Sequence, residues 1–568
     1  MLAILLLASE SGKGLSAASY GNNFITAFPE NLAYFYPSPL SNNLRITALY
    51  NNTNIKIIYR SSEKQIQIQN SGQSRTVQLP VSAEVTDLGQ SDSSVRVTSD
   101  QNITVVSMSL RATSFQVNVI QPTSNLGKNY LIPSLDYKEY LQTFNLVQYD
   151  VTPERYSSFK LIIINALGVS NNITITRQSS SSANQQEPLV EENISIDGFQ
   201  LVQIQSNSSI LKVTATGEIA VILTHPCLEI INCNCKMLMN QILPAKFEGQ
   251  NFIVPSIFNV SKTMLLMMSE KSSSLFYNGS QLQASSSGLI AFSSLKTSQL
   301  VSASGEVSLR LISPGLVVEL IPENQFFACF LLQFSWGSGR AVVIAETDSK
   351  DDVHTNNDLL SAAQWTEIPG TKYSSTVVTM LNSATIWHPS SKIAVYMLEG
   401  IGNVMYGGPA IPICKKTDLH GCLVAPGVFE IGPDPLNWMQ SREYCMENMD
   451  QFACPVNQDT QMLMADGLNP GSDLGQSWIG LRRSLLTTDW YWQDEYQPPS
   501  PFSYVNWDGG HPLEPQKALC ASVSLDNQSD FRWHSARCCE LKKPVCYRRP
   551  KYLITAQDTS DFLYFIQL

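Results

Sequence analysis

Two short patterns recur through the first 405 residues, and they limit the fold of this chain more than any other feature. The first is a glycine, an apolar run and a proline, as in GKNYLIPSLD (127–136) and GQNFIVPSIF (249–258). Weaker relatives are GNNFITAFPEN (21–31) and GLVVELIPEN (315–324). An apolar run that ends at a proline is typical of a strand entering a turn. The pattern therefore indicates a repeated β unit.

The second pattern is a stretch of alternating apolar residues interrupted by polar ones. VRVTSDQNITVV (95–106) aligns without gaps with LKVTATGEIAVI (211–222), LVSASGEVSLRL (300–311) is similar, and WHPSSKIAVYML (387–398) is a diverged copy. Alternation on both sides of Asn, Gly or Asp predicts a β-hairpin in each copy. The copies are 86 to 116 residues apart, far more than the 20–50 residues of solenoid repeats, so each copy marks a β-sandwich module of about 100 residues.

These landmarks predict four tandem all-β modules, at 20–126, 127–248, 249–314 and 315–405, arranged as a stalk. The fold class is thus multidomain, with N-terminal tandem β-sandwich repeats. We find no nucleophile–base pair, metal cluster or phosphate-binding glycine loop, and therefore predict no enzyme, no catalytic residue, no metal site and no cofactor. A net charge of −11 with 15% charged residues excludes a general nucleic-acid binder.

The twelve cysteines favour an oxidising compartment. Eight of them crowd between Cys414 and Cys546, and an even number in such a cluster indicates a disulfide framework. The remaining four favour a Cys227–Cys233 bridge, which leaves Cys235 for Cys329.

Further features favour secretion. Eight asparagines begin N-glycosylation sequons: Asn51, Asn102, Asn172, Asn193, Asn207, Asn259, Asn278 and Asn527. The short apolar run at residues 2–8 predicts that residues 1–19 hold a truncated signal peptide. No later run approaches the ~20 apolar residues of a membrane span. We therefore expect a secreted, extracellular glycoprotein without a membrane span.

The N-terminal repeat resembles a known family. The repeat, the CLEIINC element followed by QILPAKFEGQNFIVPS, and the opening FITAFPEN together resemble the N-terminal domain of the IgGFc-binding protein family, over about residues 20–405. The resemblance implies a secreted, non-enzymatic binding role associated with mucus or matrix. The family name implies immunoglobulin Fc as a partner, but no residue of this chain matches an Fc-contacting motif.

Tryptophan and cysteine residues become frequent from Cys414 onward. NWMQSREYCMENM, SWIGLRRS, DWYWQD, YVNWDGG, ALCASVSL, FRWHSARCCE and PVCYR follow one another in this order. The order resembles that of a C-type lectin-like domain, here over residues 414–548, with a tail at 549–568. The resemblance implies an α+β fold with a long binding loop. It also implies the disulfides Cys445–Cys546, Cys520–Cys538 and Cys414–Cys422, which leave Cys454 for Cys539.

In the lectins of this family, calcium is held by a Glu-Pro-Asn type triplet, an acidic pair before a framework cysteine, and Asn-Asp after a tryptophan. Spacing from Trp507 and from Cys520 sets the triplet at residues 511–513, not at Glu514-Pro515-Gln516. The positions that should supply calcium with oxygen ligands are then His511, Leu513, Ala518-Leu519, and His534-Ser535 after Trp533. Since calcium takes six to eight oxygen ligands, we expect no calcium site.

The leading hypothesis is a secreted recognition or adhesion glycoprotein whose lectin-like head binds an extracellular protein or glycan without the usual calcium ligands. One alternative is a carbohydrate-binding lectin with an atypical site. Another is a structural mucus or matrix component, or an Fc-binding protein. The candidate binding loop comprises His511, Leu513, Glu514, Gln516, Trp533, His534 and Ser535. Paired histidines at 511 and 534 could also form a pH-sensitive patch.

Overall fold

The computed structural model divides the chain into two compact units, residues 1–423 with 553–568, and residues 424–552. The structure describes residues 18–32, 39–111, 114–133, 135–146, 158–178, 189–206, 210–231, 234–256, 263–283, 289–292, 297–314, 316–335, 337–360, 363–381, 383–401, 404–468, 475–493, 504–525 and 531–555. Among these residues, no helix has the length and apolarity needed to cross a membrane. The signal peptide expected at 1–19 lies outside the described residues except for its last two positions.

The first unit is built of β modules, which confirms the all-β fold class expected for it. Its first module contains β1 (Gly21–Thr26), β2 (Phe28–Pro29), β3 (Leu40–Ala48), β4 (Thr53–Tyr59), β5 (Ser62–Ile68), β6 (Ser74–Gln78), β7 (Glu84–Val85), β9 (Val95–Arg111) and β10 (Ser114–Ile120), while the intervening β8 (Gly89–Ser91) pairs with β15 (Leu201–Ser206) in the sheet of the second module. The second contains β11 (Gly127–Leu131), α1 (Tyr137–Phe144), β12 (Phe159–Asn165), β13 (Asn171–Gln178), β14 (Leu189–Ile196), β15 (Leu201–Ser206), β16 (Ile210–Ile231) and β17 (Asn234–Ile242).

The third module contains β18 (Gly249–Val254), β19 (Thr263–Met268), β20 (Leu275–Tyr277), β21 (Ser280–Gln281), β22 (Leu289–Phe292), β23 (Gln299–Ser313) and β24 (Leu316–Glu319). The fourth contains β25 (Cys329–Leu332), β26 (Ser338–Glu346), β27 (His354–Thr355), β28 (Asp358–Leu359), β29 (Thr366–Glu367), β30 (Tyr373–Leu381), β31 (Ala384–Trp387), β32 (Ala394–Ile401), β33 (Val404–Pro409) and β34 (Ile411–Cys414).

The alternating segment is one long strand in the first three modules, so the hairpin prediction is wrong there. Residues 95–106 lie within β9, which pairs with β1 and β4 along its first half and with β3 and β10 along its second. The polar residues 99–102 therefore mark the change of partners rather than a turn. Val95, Val97, Ile103 and Val105 are buried as the alternation requires. In the diverged fourth copy the chain does break, between β31 and β32, but these strands belong to different sheets and do not pair, so the hairpin prediction is wrong there too.

The glycine of the repeated pattern is required by a close approach to a proline. In modules one to three the first glycine pairs with the same position of the long strand: Gly21 with Ile103, Gly127 with Ile219, and Gly249 with Val307. A Cβ at Gly21 would lie 2.8 Å from Pro122, and one at Gly249 would lie 2.3 Å from Pro322. Since real Cβ atoms do not approach this closely, a larger residue would push the strand and proline apart.

Two expected boundaries differ from the structure. The sequence predicts the break between modules three and four at 314/315, but β24 pairs with β23 across that position, which keeps residues 316–319 in module three. The lectin-like domain was expected to begin at Cys414, but β34 pairs with β25 of module four. The second compact unit instead begins at Val424. In both places the strand pairing continues past the boundary that the sequence motifs indicate.

One strand from the end region of each module packs against its counterparts, so that the four modules form a closed ring rather than a linear stalk. β10 contacts β17, β17 contacts β24, β24 contacts β33, and β33 contacts β10. Side chains of the first module accept hydrogen bonds from backbone N–H groups of the second. The Met237 N–H donates to the Ser114 Oγ at 3.1 Å, and the Gln241 N–H donates to the Asn118 Oδ1 at 3.2 Å. Between the fourth module and the first, the Arg45 Nη1 donates to the Phe334 carbonyl at 2.9 Å.

The second unit has the mixed α+β fold expected of it. Its elements are β35 (Leu423–Ala425), whose first residue belongs to the first unit, β36 (Val428–Ile431), α2 (Trp438–Asn448), β37 (Gln451–Phe452), α3 (Gln458–Leu468), β38 (Gln476–Arg483), β39 (Trp490–Trp492), β40 (Cys520–Ser524), β41 (Trp533–Ala536), β42 (Lys543–Arg548) and β43 (Lys551–Tyr552). Helix α2 begins with a capping box between Asn437 and Gln440. Disulfides Cys445–Cys546 and Cys520–Cys538 are the pairs that the resemblance implies.

The other expected disulfides are wrong. Cys227 pairs with Cys235, because β17 folds back on β16 and brings their Cα atoms to 4.9 Å. Cys233 lies outside the described residues. Since Cys235 is taken, Cys329 pairs with Cys422 instead, at a Cα separation of 5.4 Å.

Cys414, expected to pair with Cys422, keeps a free thiol on β34. Cys539 also keeps a free thiol, on the exposed surface, so the expected Cys454–Cys539 bridge does not form. The physical reason is burial: Cys454 lies in the core against Gly480, whereas Cys539 is exposed.

Candidate functional site

The candidate site is the loop between β39 and β40 of the second unit, described from residue 504 onward. Backbone bonds hold this loop against β41: Trp533 donates to the Asn506 carbonyl at 2.8 Å, and Asp508 donates to the Trp533 carbonyl at 2.9 Å. The ring of Trp507 lies edge-on to that of Trp533, with centroids 5.8 Å apart. The base of the loop is therefore fixed on the core of the domain.

Trp533 itself belongs to that core. Its side chain is fully buried, and its Nε1 donates to the Gln461 Oε1 at 3.0 Å. The rings of Trp492 and Tyr504 pack edge-on against it. Its inclusion in the candidate binding loop is therefore wrong, because a ligand has no access to its ring. The sequence motif pointed to the right place in the chain but not to the direction of the side chain.

His511, Leu513 and Ser535 meet beside the loop base. The Ser535 backbone N–H donates to the His511 Nδ1 at 3.1 Å, and the Ser535 hydroxyl lies 3.0 Å from the same nitrogen. The Leu513 backbone N–H donates to the Ser535 Oγ at 2.8 Å. The polar atoms at these positions are thus engaged with one another.

His534 lies next to this cluster. Its ring centroid is 4.9 Å from that of His511, in an edge-to-face arrangement. Its Nδ1 is 3.9 Å from the Asp508 Oδ2, which is the limit of an ion pair and requires the imidazole to be protonated. The two histidines are therefore close neighbours, and one of them faces a carboxylate.

Glu514 and Gln516 lie apart from the cluster. Both side chains are exposed, and the Glu514 carboxylate pairs with the Lys517 ammonium at 3.3 Å across one turn. An exposed pair of this kind contributes little to stability. Asp494, a further polar residue of this loop region, lies outside the described residues. The Glu-Pro-Gln triplet therefore faces solvent beside the cluster rather than joining it.

Arg483 connects the candidate loop with a neighbouring turn, a feature that sequence reasoning missed. Its Nη1 donates to the Leu513 carbonyl at 3.0 Å, and its Nε donates to the Thr488 carbonyl at 2.8 Å. The turn between β38 and β39 presents Leu485 and Leu486, which are 70% and 95% exposed. We call these two leucines together with Leu513 the apolar tip. The adjacent leucines in SLLTT were the signal that could have revealed it.

Among the described residues, no group of three or more His, Cys, Asp or Glu side chains is placed to hold a metal ion. Comparison with known proteins finds a family match within each of the two units. Residues 116–398 match the family described as IgGFc binding protein, and residues 434–548 match the Lectin C-type domain. One region of the chain is thus similar to the IgGFc-binding family and another to the C-type lectin domain.

The human IgGFc-binding protein is 21% identical to this chain over 390 residues, which are 62% of this chain and 7% of that protein. The chain thus spans a small part of the length of the curated relative. Human lithostathine is 21% identical over 22% of this chain and 85% of its own, with a TM-score of 0.19. The carbohydrate-recognition domain of cow CD23 is 25% identical over 22% of this chain and 88% of its own, with a TM-score of 0.18.

Proposed function

We propose that this chain is a secreted, non-enzymatic recognition protein whose C-type lectin head binds a protein partner without calcium. The observation that carries the proposal is the cluster at His511, Leu513 and Ser535. Calcium prefers six to eight oxygen ligands, several of them carboxylates. Here an imidazole and a leucine stand at two of the ligand positions, and the hydroxyl and amide of Ser535 are engaged with them. These residues do not fit a calcium ion.

The apolar tip supports a protein partner rather than a sugar. Solvent-exposed leucines gain free energy when a partner covers them, and neighbouring exposed apolar side chains mark interaction surfaces. Arg483 holds the turn that carries Leu485 and Leu486 beside the backbone of Leu513. Sugar recognition in this family relies on calcium to coordinate vicinal hydroxyls, and the cluster offers none of the required carboxylates. The tip therefore favours an apolar contact with a protein.

Secretion is supported by the disulfides and the sequons. The described part of the chain contains four disulfides, and disulfides persist in oxidising compartments. Of the eight sequon asparagines, Asn51, Asn172, Asn193 and Asn278 are exposed and Asn102 is partly exposed, while Asn207, Asn259 and Asn527 lie outside the described residues. The exposed positions are accessible to glycosylation.

The experiment combines calcium titration, a glycan array and partner binding on the full chain. The relative's name makes the immunoglobulin G Fc fragment the first protein probe. We expect no calorimetric signal from millimolar calcium, no chelator-sensitive glycan binding, and loss of partner binding in Leu486→Ser. Leu541→Ser changes another exposed leucine of the same unit and serves as the matched control. Chelator-sensitive glycan binding would refute the proposal, and would favour an atypical lectin. Failure of Fc to bind would exclude only that partner, and pull-down from mucus would then test the matrix alternative.

A further inference from the structure

A cavity of about 140 Å³ lies where β10, β17, β24 and β33 meet. All four strands of the ring contribute to its wall, through residues such as Val119, Met239, Val317 and Gly408. Its volume is close to the ~150 Å³ of an engineered apolar cavity that takes up benzene. The cavity therefore has room for one ring-sized group.

Several donors of lining residues have no hydrogen-bond partner in the described part of the chain: the buried Nε2 of Gln116 and Nδ2 of Asn118, and two further donors on Gln241 and Tyr406. Gln241 is 8% exposed; its Oε1 accepts from the Gln121 N–H at 3.0 Å, but its NH₂ group has no acceptor. Tyr406 is also 8% exposed, and its hydroxyl makes no hydrogen bond. Burial raises the pKa of the Tyr406 hydroxyl, which keeps it protonated and able to donate. A buried donor without an acceptor costs free energy, so each such group calls for a partner.

The wall carries almost no free charge. Among the lining residues that the structure describes, Glu319 is the charged one. Its carboxylate lies 2.6 Å from the guanidinium of the buried Arg310, and it accepts from the Ser308 hydroxyl at 2.9 Å. A charged ligand would lose its hydration without gaining an opposite charge, which is unfavourable. The ligand should therefore be neutral.

We propose that this ring cavity is a binding site for a neutral, ring-sized apolar group that carries a hydrogen-bond acceptor oxygen. The apolar residues of the wall, such as Val119, Met239 and Val317, cover the ring, and the Gln241 NH₂ and Tyr406 hydroxyl donate to the oxygen. The group can come from a free small molecule or from a side chain of a protein partner. The site belongs to the first unit and does not depend on the proposed function of the lectin head.

Ligand-observed NMR on the full chain tests the site with matched probes. Acetophenone has a ring and a carbonyl, ethylbenzene has the ring alone, and N-acetyl-tyrosinamide represents a partner's side chain. We expect ethylbenzene to bind about tenfold more weakly than acetophenone, as expected for loss of a hydrogen bond. Preferential binding of N-acetyl-tyrosinamide would assign the site to a protein partner, and preferential binding of acetophenone to a small molecule.

Two variants separate a ligand site from a structural feature. Tyr406→Phe removes a hydroxyl that has no protein partner in the described part of the chain. The variant should therefore bind acetophenone about five- to tenfold more weakly without a lower melting temperature. Gly408→Leu should abolish binding, because a Cβ at Gly408 meets only the Tyr406 hydroxyl, at 3.5 Å, and a larger side chain grows toward it. Gly475→Leu, where a Cβ meets nothing within 4 Å, is the matched control.

The outcomes that overturn the site are distinct. Either no probe binds, or Gly408→Leu binds as the wild type does, or a crystal structure of the soaked chain shows ordered water alone beside Tyr406. If Gly408→Leu does not fold, Tyr406→Phe decides, since loss of stability with unchanged probe affinity would assign its hydroxyl a structural role.

Discussion

The backbone N–H of Ser535 donates to Nδ1 of His511 at 3.1 Å, which joins β41 to the candidate loop. This bond occupies one of the positions where the C-type lectin resemblance would place a calcium ligand. The same serine accepts from the Leu513 N–H through its hydroxyl. The chain thus uses its own polar atoms to hold the loop.

Calcium should leave the stability of the lectin unit unchanged. A ligand present at 100 times its Kd adds about 2.7 kcal/mol to the free energy of unfolding, which would raise the melting temperature by several degrees. We expect a shift below about 1 °C between 10 mM calcium and excess chelator in a thermal scan, because no shift of this kind arises without binding. A clear, chelator-reversible rise would contradict the account of His511 and Leu513.

Ser535→Ala should destabilise the loop. The substitution removes the acceptor of the Leu513 N–H and a hydroxyl beside His511, and each lost hydrogen bond costs about 0.5–1.5 kcal/mol. Hydrogen exchange should then show faster exchange of the amide of Leu513. Ser484→Ala, in the neighbouring turn, is the comparison, and its variant should leave that amide's exchange unchanged. Equal rates in wild type and Ser535→Ala would show that the contact does not hold the loop.

Cys422→Ser should create a new disulfide between Cys329 and Cys414. These two residues are direct cross-strand partners on β25 and β34, and directly opposed residues of antiparallel strands lie close enough for a disulfide. Burial raises the pKa of the Cys414 thiol, so alkylation of Cys414 in the wild type should be slow. Peptide mapping without reduction checks both expectations. Recovery of an alkylated Cys329 from the variant would count against them.

Glu248 should make the first unit less stable as the pH rises. Burial, with the nearby charges of Glu270 and Glu306, raises the pKa of Glu248 from 4.5 to about 7. Between these values the folded state binds more protons than the unfolded state, so the free energy of unfolding falls with increasing pH. After solvent screening the effect is at most about 1–2 kcal/mol.

Glu248→Gln should remove this dependence. The variant's melting temperature should exceed that of the wild type at pH 8 and match it more closely at pH 5. The Glu367→Gln variant changes an exposed carboxylate of the same unit and is the control. Parallel melting curves of Glu248→Gln and wild type across this range would refute the assignment.

Lys160→Met should destabilise the contact between the first two modules. The Lys160 ammonium lies 3.1 Å from the Glu30 carboxylate, with side chains 2% and 8% exposed. Loss of the ammonium breaks this buried ion pair, which costs about 3–5 kcal/mol. The double variant Lys160→Met with Glu30→Gln should recover much of this loss. Thermal unfolding of the single and double variants provides the measurement, and equal melting temperatures of the two would argue against a coupled pair.

The sequence predicted burial well and tertiary neighbours poorly. The alternation of Val95, Val97, Ile103 and Val105 identified residues that are all buried, because a strand's period of two is a local property. The polar residues between them read as a turn, since nothing local shows that β9 changes its partner strands there. The spacing rule placed His511 and Leu513 at the cluster but could not show that Trp533 faces the core.

Disulfide pairing was also predictable within one domain but not between modules. The pairs implied by the C-type lectin resemblance within its core, Cys445–Cys546 and Cys520–Cys538, are the ones the structure forms. Cys422 pairs instead with a residue 93 positions away, on a strand of module four. Connectivity cannot be deduced from cysteine spacing alone. Pairs that depend on how modules meet therefore require the structure.

The closed ring of β10, β17, β24 and β33 makes the four modules mutually dependent. A linear array tolerates gain or loss of a unit at its end, because each unit contacts only its neighbours. In a ring every module has two neighbours, and deletion of any one would uncover two apolar faces at once. The number of modules is therefore constrained to four, and fragments cut at module boundaries should aggregate rather than fold. Deletion of any one module should therefore abolish every function of this unit.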